Sequence, residues 1–176
     1  MNLSHMSEKE LLVLFQSLCG ELADRGIPDI TYASRSMEVI LADKLGHTAT
    51  NVSDWYDAFD DAGNVYEYKA RKLTERIEGF YSWKNYNSWE DTDEFLRTKK
   101  FGGCKYHYFV KYCPGLQIKE MWRIAGMDLY HGMIKKVKAR WDRWAAGDPK
   151  VVEAAMPMHF QAGMRVIANY GGVKLL

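Results

Sequence analysis

No apolar run in the sequence approaches the roughly 18 residues that a bilayer-crossing helix needs, so no membrane partner is expected. The opening MNLSHMSEKE has no basic segment followed by an apolar one, and no secretory signal is expected there. Cysteine is scarce. Cys19, Cys104 and Cys113 are odd in number, widely spaced and without a CxxC pair, which argues for a reduced intracellular protein without structural zinc. The histidines His5, His47, His107, His131 and His159 show no pairing of the kind zinc needs. Gly102-Gly103 is not followed by GK[ST], which removes a phosphate-cradling loop of that type. An excess of charge is also missing: 24 basic residues face 23 acidic ones, against a nonspecific polycation that coats nucleic acid. That balance leaves DNA binding open, because acids gathered in a metal site can cancel bases lining a groove. Repeats, low-complexity tracts and an interdomain linker are absent from the pattern.

What is present is a core. At 47% hydrophobic residues in 176, the chain has the size and composition of one ordinary domain. Ser7-Glu8-Lys9-Glu10 has the form of a capping box and leads into Leu11, Leu14, Phe15, Leu18 and Leu22 at helical spacing, closed by Gly26 and Pro28. A second helix is expected over Ser36 to Leu45, stopped by Gly46. A turn at Asp60 to Asn64 precedes a strand from Val65 to Arg71. Residues 79–94 read as a long ordered loop or irregular strand, with a helical turn at its end. Strands are expected over Tyr106 to Tyr112 and Leu116 to Ile124, joined by a turn at Pro114-Gly115. Asp128 to Trp144 has helical spacing, and its basic residues Lys135, Lys136, Lys138, Arg140 and Arg143 read as a solvated face. Met156–Phe160 and Met164–Ala168 are expected to form a closing hairpin. The order of elements is that of an α+β or mixed α/β domain.

The stretch YDAFDDAGNVYEYK, residues 56–69, carries the chemistry. Residues two apart in a strand share a face, so Glu67 and Lys69 lie on one side and Tyr66 and Tyr68 on the other. A turn through Asp61-Ala62-Gly63-Asn64 folds Asp57 back beside Glu67. Two carboxylates that close repel unless a divalent cation separates them, and Mg²⁺ suits a few carboxylate oxygens completed by waters and a substrate phosphate. Lys69 then faces the same phosphate. Asp54 lies within reach of Asp57 and is a further candidate ligand. The bare Asp-x(9)-Glu-x-Lys spacing is unspecific, and a hairpin with a solvated Glu–Lys pair satisfies it equally.

The frame Asp57-Ala58-Phe59-Asp60, Ala62-Gly63, Tyr66-Glu67-x-Lys69 resembles the active-site hairpin of PvuII-like type II restriction endonucleases, members of the PD-(D/E)xK nuclease superfamily. The likeness extends to RGIPDI at 25–30, Gly79-Phe80, LQIKEMWRI at 116–124, RWDRW at 140–144 and MPMHFQAGMRVI at 156–167. It implies a single endonuclease domain over residues 1–176. Its fold would be restriction-endonuclease-like, a central mixed β-sheet flanked by helices. Residues 1–46 would be the helical dimerisation part and 47–176 the catalytic and DNA-recognition part. It further implies a cytoplasmic bacterial or archaeal homodimer that cuts double-stranded DNA at a short palindromic site. A DNA methyltransferase would be its genetic partner. Mg²⁺ would be the cofactor; Mn²⁺ would substitute, and Ca²⁺ would support binding without cleavage. Asp57 and Glu67 would be metal ligands and Lys69 the catalytic lysine, while Asp54 stands where the family has a glutamate. The alternatives are a repair or structure-selective nickase of the same superfamily, or a DNA-binding protein with an inactive site.

The likeness breaks where bases are read. In place of the family's run of histidines stands Trp83-Lys84-Asn85-Tyr86, and the later recognition asparagine falls on Glu153 or on no counterpart. Ser82, Lys84, Asn85 and Asn87 are nonetheless suited to base edges, Lys to guanine and Asn to adenine. Packing of Trp83, Tyr86 and Trp89 onto the domain is the other account of that segment. Tyr32, Ser34 and Arg35 lie where the family approaches DNA from the minor-groove side, and helix capping by Ser34 or Ser36 is compatible with that. Lys99, Lys100 and Lys105 are candidates for phosphate contacts. Leu11 to Phe15 exceed what one buried helix face needs, which fits either core or a dimer interface.

Overall fold

The computed structural model describes residues 2–27, 30, 35–50, 55–83, 88–152 and 158–176. In chain order the elements are α1 (Glu8–Asp24), α2 (Arg35–Leu45), β1 (Thr48–Ala49), β2 (Ala58–Phe59), β3 (Val65–Lys72), β4 (Glu78–Trp83) and α3 (Trp89–Phe95). Helix α3 continues as a π-helical turn, Leu96–Lys100. Then follow β5 (Tyr106–Cys113), β6 (Gln117–Ala125), α4 (Gly126–Ala145), α5 (Pro149–Val152), β7 (Met158–Gly163), α6 (Met164–Asn169) and β8 (Val173–Lys174).

Among the described residues the main sheet has six strands in the order β1-β2-β3-β5-β6-β8, with β4 and β7 forming a separate antiparallel pair. Strands β3 and β5 run parallel and the remaining pairs antiparallel. The sheet is therefore mixed, and the class is α+β. A parallel pair needs a long crossover, and here the crossover is β4, α3 and the π-helical turn. It brings β4 and the end of the π-helical turn to the face of β3 that carries Glu67 and Lys69.

Two apolar cores flank the sheet. On one face Tyr66 and Tyr68 of β3 and Tyr108 and Val110 of β5 pack with Met37, Leu41 and Ala42 of α2. On the other, Phe109 and Ile124 meet Tyr81 of β4, Leu129, Met133 and Val137 of α4, Ile167 of α6, and Leu96 and Phe101. The central strand β5 is buried on both sides, as a parallel-paired strand covered by helices must be.

Helix α1 forms as its capping box dictates: Glu10 N–H donates to Ser7 Oγ at 3.3 Å and Ser7 N–H to Glu10 Oε2 at 2.8 Å. It buries none of its residues, and Leu12, Val13, Phe15 and Leu18 are 50–63% exposed. One expectation from the sequence is narrowed and another corrected. Of the two forms expected for residues 79–94, loop or irregular strand, residues 78–83 take the strand, and a regular one, because they pair with β7 from Glu78↔Gly163 to Trp83↔Met158. The closing hairpin does not form among the described residues. The strand runs through Gln161–Gly163, where a turn was expected, and buried Ala162 sits opposite Gly79. Residues 164–169 then coil into α6 and bury Ile167 against the core. The intervals among Met164, Val166 and Ile167 suit a helix as well as a short strand, and tertiary packing decides between them.

Candidate active site

The turn before β3 is built by its own side chains. Asp60 Oδ1 accepts N–H bonds from Ala62 at 3.1 Å and Asn64 at 2.8 Å, and Gly63 takes φ +78°, the left-handed conformation such a turn requires. Tyr66 O–H donates to Asp60 Oδ2 at 2.7 Å, which ties the turn to the strand. Asp60 is thus a turn-builder, and it does not join the inner carboxylates.

This turn sets the register Ala58↔Tyr66 and Phe59↔Val65, and one step further places Asp57 across from Glu67. The Asp57 N–H donates to the Tyr66 carbonyl at 2.9 Å, and its Oδ2 accepts from the Tyr68 N–H at 2.6 Å. Asp57 therefore straddles Glu67 along the backbone. Glu67 is 3% exposed and its Oε1 is ion-paired to Lys69 Nζ on the same face. Lys100, at the end of the π-helical turn, brings its Nζ to 3.6 Å from that same Oε1. The sequence-predicted trio Asp57, Glu67 and Lys69 is brought together, and Lys100 joins it.

The electrostatics follow from burial. Desolvation first, and the Glu67 carboxylate second, push Asp57 up to about 8. Burial also works against the Glu67 anion, but Lys69 and Lys100 outweigh it and hold that carboxyl below its usual range. Burial works against the Lys69 cation as well, and Glu67 and Asp57 outweigh it, so the ammonium stays charged. One acidic group is thus held back from ionising next to another that is ionised, as expected of two neighbouring carboxylates in a buried site.

Behind the trio stands an uncharged support. Tyr81 lies under Lys69, whose Nζ is 5.0 Å from its ring centre. The His107 ring, paired in register with Glu67 and fully buried, contacts the Phe101 carbonyl through Nε2 at 2.9 Å and the Tyr81 hydroxyl through Nδ1 at 3.0 Å. A carbonyl only accepts, so Nε2 carries the proton and Nδ1 accepts from Tyr81. Burial depresses His107 to about 4, so the ring is neutral. It is a buried, bonded histidine, as the sequence suggests. Gly79 completes the support. A Cβ there would stand 2.7 Å from Phe109 Cε1 and 2.8 Å from Lys69 Cγ, so only glycine lets β4 lie against the Lys69 stem.

Other candidates are placed differently. Arg35 is 3% exposed; its guanidinium donates to the Thr50 carbonyl and lies 3.5 Å from Glu38 Oε2. Ser82 belongs to β4 opposite His159. Asp54, Tyr32, Ser34, Lys84, Asn85 and Asn87 lie outside the described residues. Lys99 is exposed, and Lys105 lies 3.9 Å from Asp60 Oδ2. On α4, Lys138 bonds Asp142 at 2.5 Å on the solvated face. Sequence reasoning missed Tyr81, Gly79 and the pairing of Lys100 with Glu67. The register of β3 with β5 makes His107 a neighbour of Glu67, but no local pattern brings the end of a π-helical turn to the same place.

Among the described residues no group of three or more His, Cys, Asp and Glu is arranged to hold a metal ion; Asp57 and Glu67 are a set of two. No helix among them is long and apolar enough to cross a membrane. No protein-family model matches the chain, and comparison with curated proteins returns no match.

Proposed function

We propose that the protein is a Mg²⁺-dependent, sequence-specific endonuclease of type II restriction character, with a restriction-endonuclease-like fold, acting on double-stranded DNA. The observation that carries this reading is Asp57 set opposite Glu67 with the charged amine of Lys69 on the same buried face. The donor set fits the cation: Mg²⁺ is held by one or two carboxylates, with water and phosphate completing its shell. Asp57 and Glu67 would hold it. When bound, Mg²⁺ polarises the scissile phosphate and acidifies a bound water.

The chain's own groups do the rest. Asp57 is fixed by the Tyr68 N–H, so its carboxylate needs little reorganisation. Lys69, kept protonated, supplies positive charge to the phosphate. The oxygen of water bonds to phosphorus as the P–O3′ bond breaks; a water proton passes to solvent and the 3′ oxygen takes one up, leaving a 5′-phosphate and a 3′-hydroxyl. Ser82, Lys84, Asn85 and Asn87, on and after β4, are the proposed base readers, and Tyr32 and Ser34 the proposed minor-groove contacts. The exposed apolar residues of α1 support a homodimer, which would place two such sites on opposite strands of a palindrome. A cytoplasmic setting beside a cognate methyltransferase completes the proposal.

Incubating the protein with a sequenced plasmid in Mg²⁺, against EDTA, tests the reading. Discrete fragments are expected in Mg²⁺ alone, with Mn²⁺ substituting and Ca²⁺ inactive. Asp57→Ala and Glu67→Ala are expected to slow cleavage by on the order of 10³-fold or more. Full activity in either variant overturns the assignment, and random nicking replaces restriction with a less specific nuclease.

A further inference from the structure

Lys100 has no place in the two-residues-apart pattern of β3, yet it is built into the site with more care than a solvated lysine receives. The π-helical turn that ends on it is a rare form, frequent at functional sites. Phe101 N–H closes that turn onto the Leu96 carbonyl at 2.9 Å, and Gly102 N–H shares the same oxygen at 3.1 Å. Two glycines make the closure possible: a Cβ at Gly102 would stand 2.1 Å from the Arg97 carbonyl oxygen, and one at Gly103 would stand 2.3 Å from that of Thr98. Leu96 and Phe101 bracket the turn at 0% exposure, and the Phe101 carbonyl is pinned by His107. The Lys100 side chain is left 15% exposed beside Glu67, while its neighbour Lys99 points to solvent.

Lys69 and Lys100 converge on one oxygen, Glu67 Oε1, from two separate elements. With both carboxylates ionised, as cation binding would require, Asp57 and Glu67 balance Lys69 and Lys100 in formal charge. A divalent cation held by the carboxylates would then leave a surplus of two positive charges. A phosphodiester carries one negative charge, and the transition state of its hydrolysis carries two. Without Lys100 the surplus would match the ground state only. Groups that match the transition state better than the substrate are the ones that raise rate.

We propose that Lys100 is a second phosphate-binding cation of this site, taking a non-bridging oxygen of the scissile phosphate alongside Lys69 and stabilising the charge that develops there. This rests on the endonuclease reading above. The Lys100 ammonium is paired with Glu67; were a cation held at Glu67, Lys100 would be free to turn toward the DNA. The competing role, that Lys100 only neutralises Glu67, gives the variants a different signature.

The test uses Lys100→Met and Lys100→Arg in the full chain. Single-turnover cleavage is measured in Mg²⁺. Binding is measured against salt, in Ca²⁺ and in EDTA, on a labelled duplex carrying the site cut in the plasmid digest. Lys100→Met is expected to slow cleavage by about 10²–10³-fold. Its slope of log affinity against log salt in Ca²⁺ should be shallower by about 1, the mark of one lost phosphate contact. Its binding loss should be smaller in EDTA. Lys100→Arg should restore the slope and most of the rate. Lys100→Gln replaces Lys100→Met in every measurement if the latter's melting temperature collapses. An unchanged salt slope overturns the proposal even if the rate falls, because a lysine that merely steadies Glu67 touches no phosphate. Wild-type cleavage by Lys100→Met overturns it alone, whereas failure of the wild type to cut in any divalent cation removes the endonuclease reading itself.

Discussion

The two faces of β3 divide its eight residues between opposite purposes. On one, Tyr66 and Tyr68, each 3% exposed, pack with α2 and with His47, whose ring stacks on Tyr66 at 3.8 Å and bonds the Tyr68 hydroxyl at 2.7 Å. On the other, Glu67 at equal burial meets two ammonium groups and a second carboxyl. The first face is the expected content of a core. The second places charge where burying it costs several kcal/mol per ion unless partners compensate. Strand alternation lets one segment do both, because a stable face holds the strand in the register that aims the costly one.

The largest test of that division is Tyr68→Ala. Removing a buried aromatic side chain should lower unfolding free energy by about 3–5 kcal/mol in urea titration. Cleavage by the remaining folded protein should persist, because the bond that holds Asp57 comes from the backbone of residue 68. Loss of cleavage without loss of stability would erase the distinction between the faces. A smaller effect on the other face sharpens it. Gly79→Ala drives a methyl group into Lys69 and Phe109. It should slow cleavage by on the order of 10²-fold through displacement of Lys69, measured in single turnover with stability followed in parallel. Wild-type rate in Gly79→Ala would show that the Lys69 stem is not held by β4.

The sequence reading of the catalytic face reached as far as local rules reach. The Asp60–Asn64 turn and period-two alternation were enough to put Asp57, Glu67 and Lys69 together, because all three depend on contacts within one hairpin. The two flanking helices and the central strands were also legible, from Met37 and Leu41 at helical spacing and from the apolar run of β5. The β4–β7 pair was not. Its partners are 83 residues apart at Glu78 and Gln161, and Gly79, chosen for the Lys69 stem, reads locally as a strand-breaker. Nor does the local pattern show that Arg35 is buried, with its guanidinium donating to the Thr50 carbonyl. Lys100 was legible only as one of three candidate phosphate contacts; its pairing with Glu67 was not, because that depends on a π-helical turn set by Gly102 and Gly103 against the backbone of residues 97–99.

Central to all of this is the claim that Asp57 and Glu67 converge to share a divalent cation, and its direct test is thermal stability against pH with and without Mn²⁺. Asp57 is held near 8 in the folded protein against an ordinary value of 3.8. Between those values the folded state holds a proton that the unfolded state has released. Stability from this group is therefore full below about pH 4 and lost as pH rises toward about 8. Subtracting the curve of Asp57→Asn isolates it. We predict that the metal-free wild type loses stability relative to Asp57→Asn across that window. We also predict that Mn²⁺ raises the wild-type melting temperature increasingly with pH, because the ion takes the proton's place, while leaving Asp57→Asn unmoved. Parallel curves for the two proteins, with no Mn²⁺ shift in either, would contradict the account.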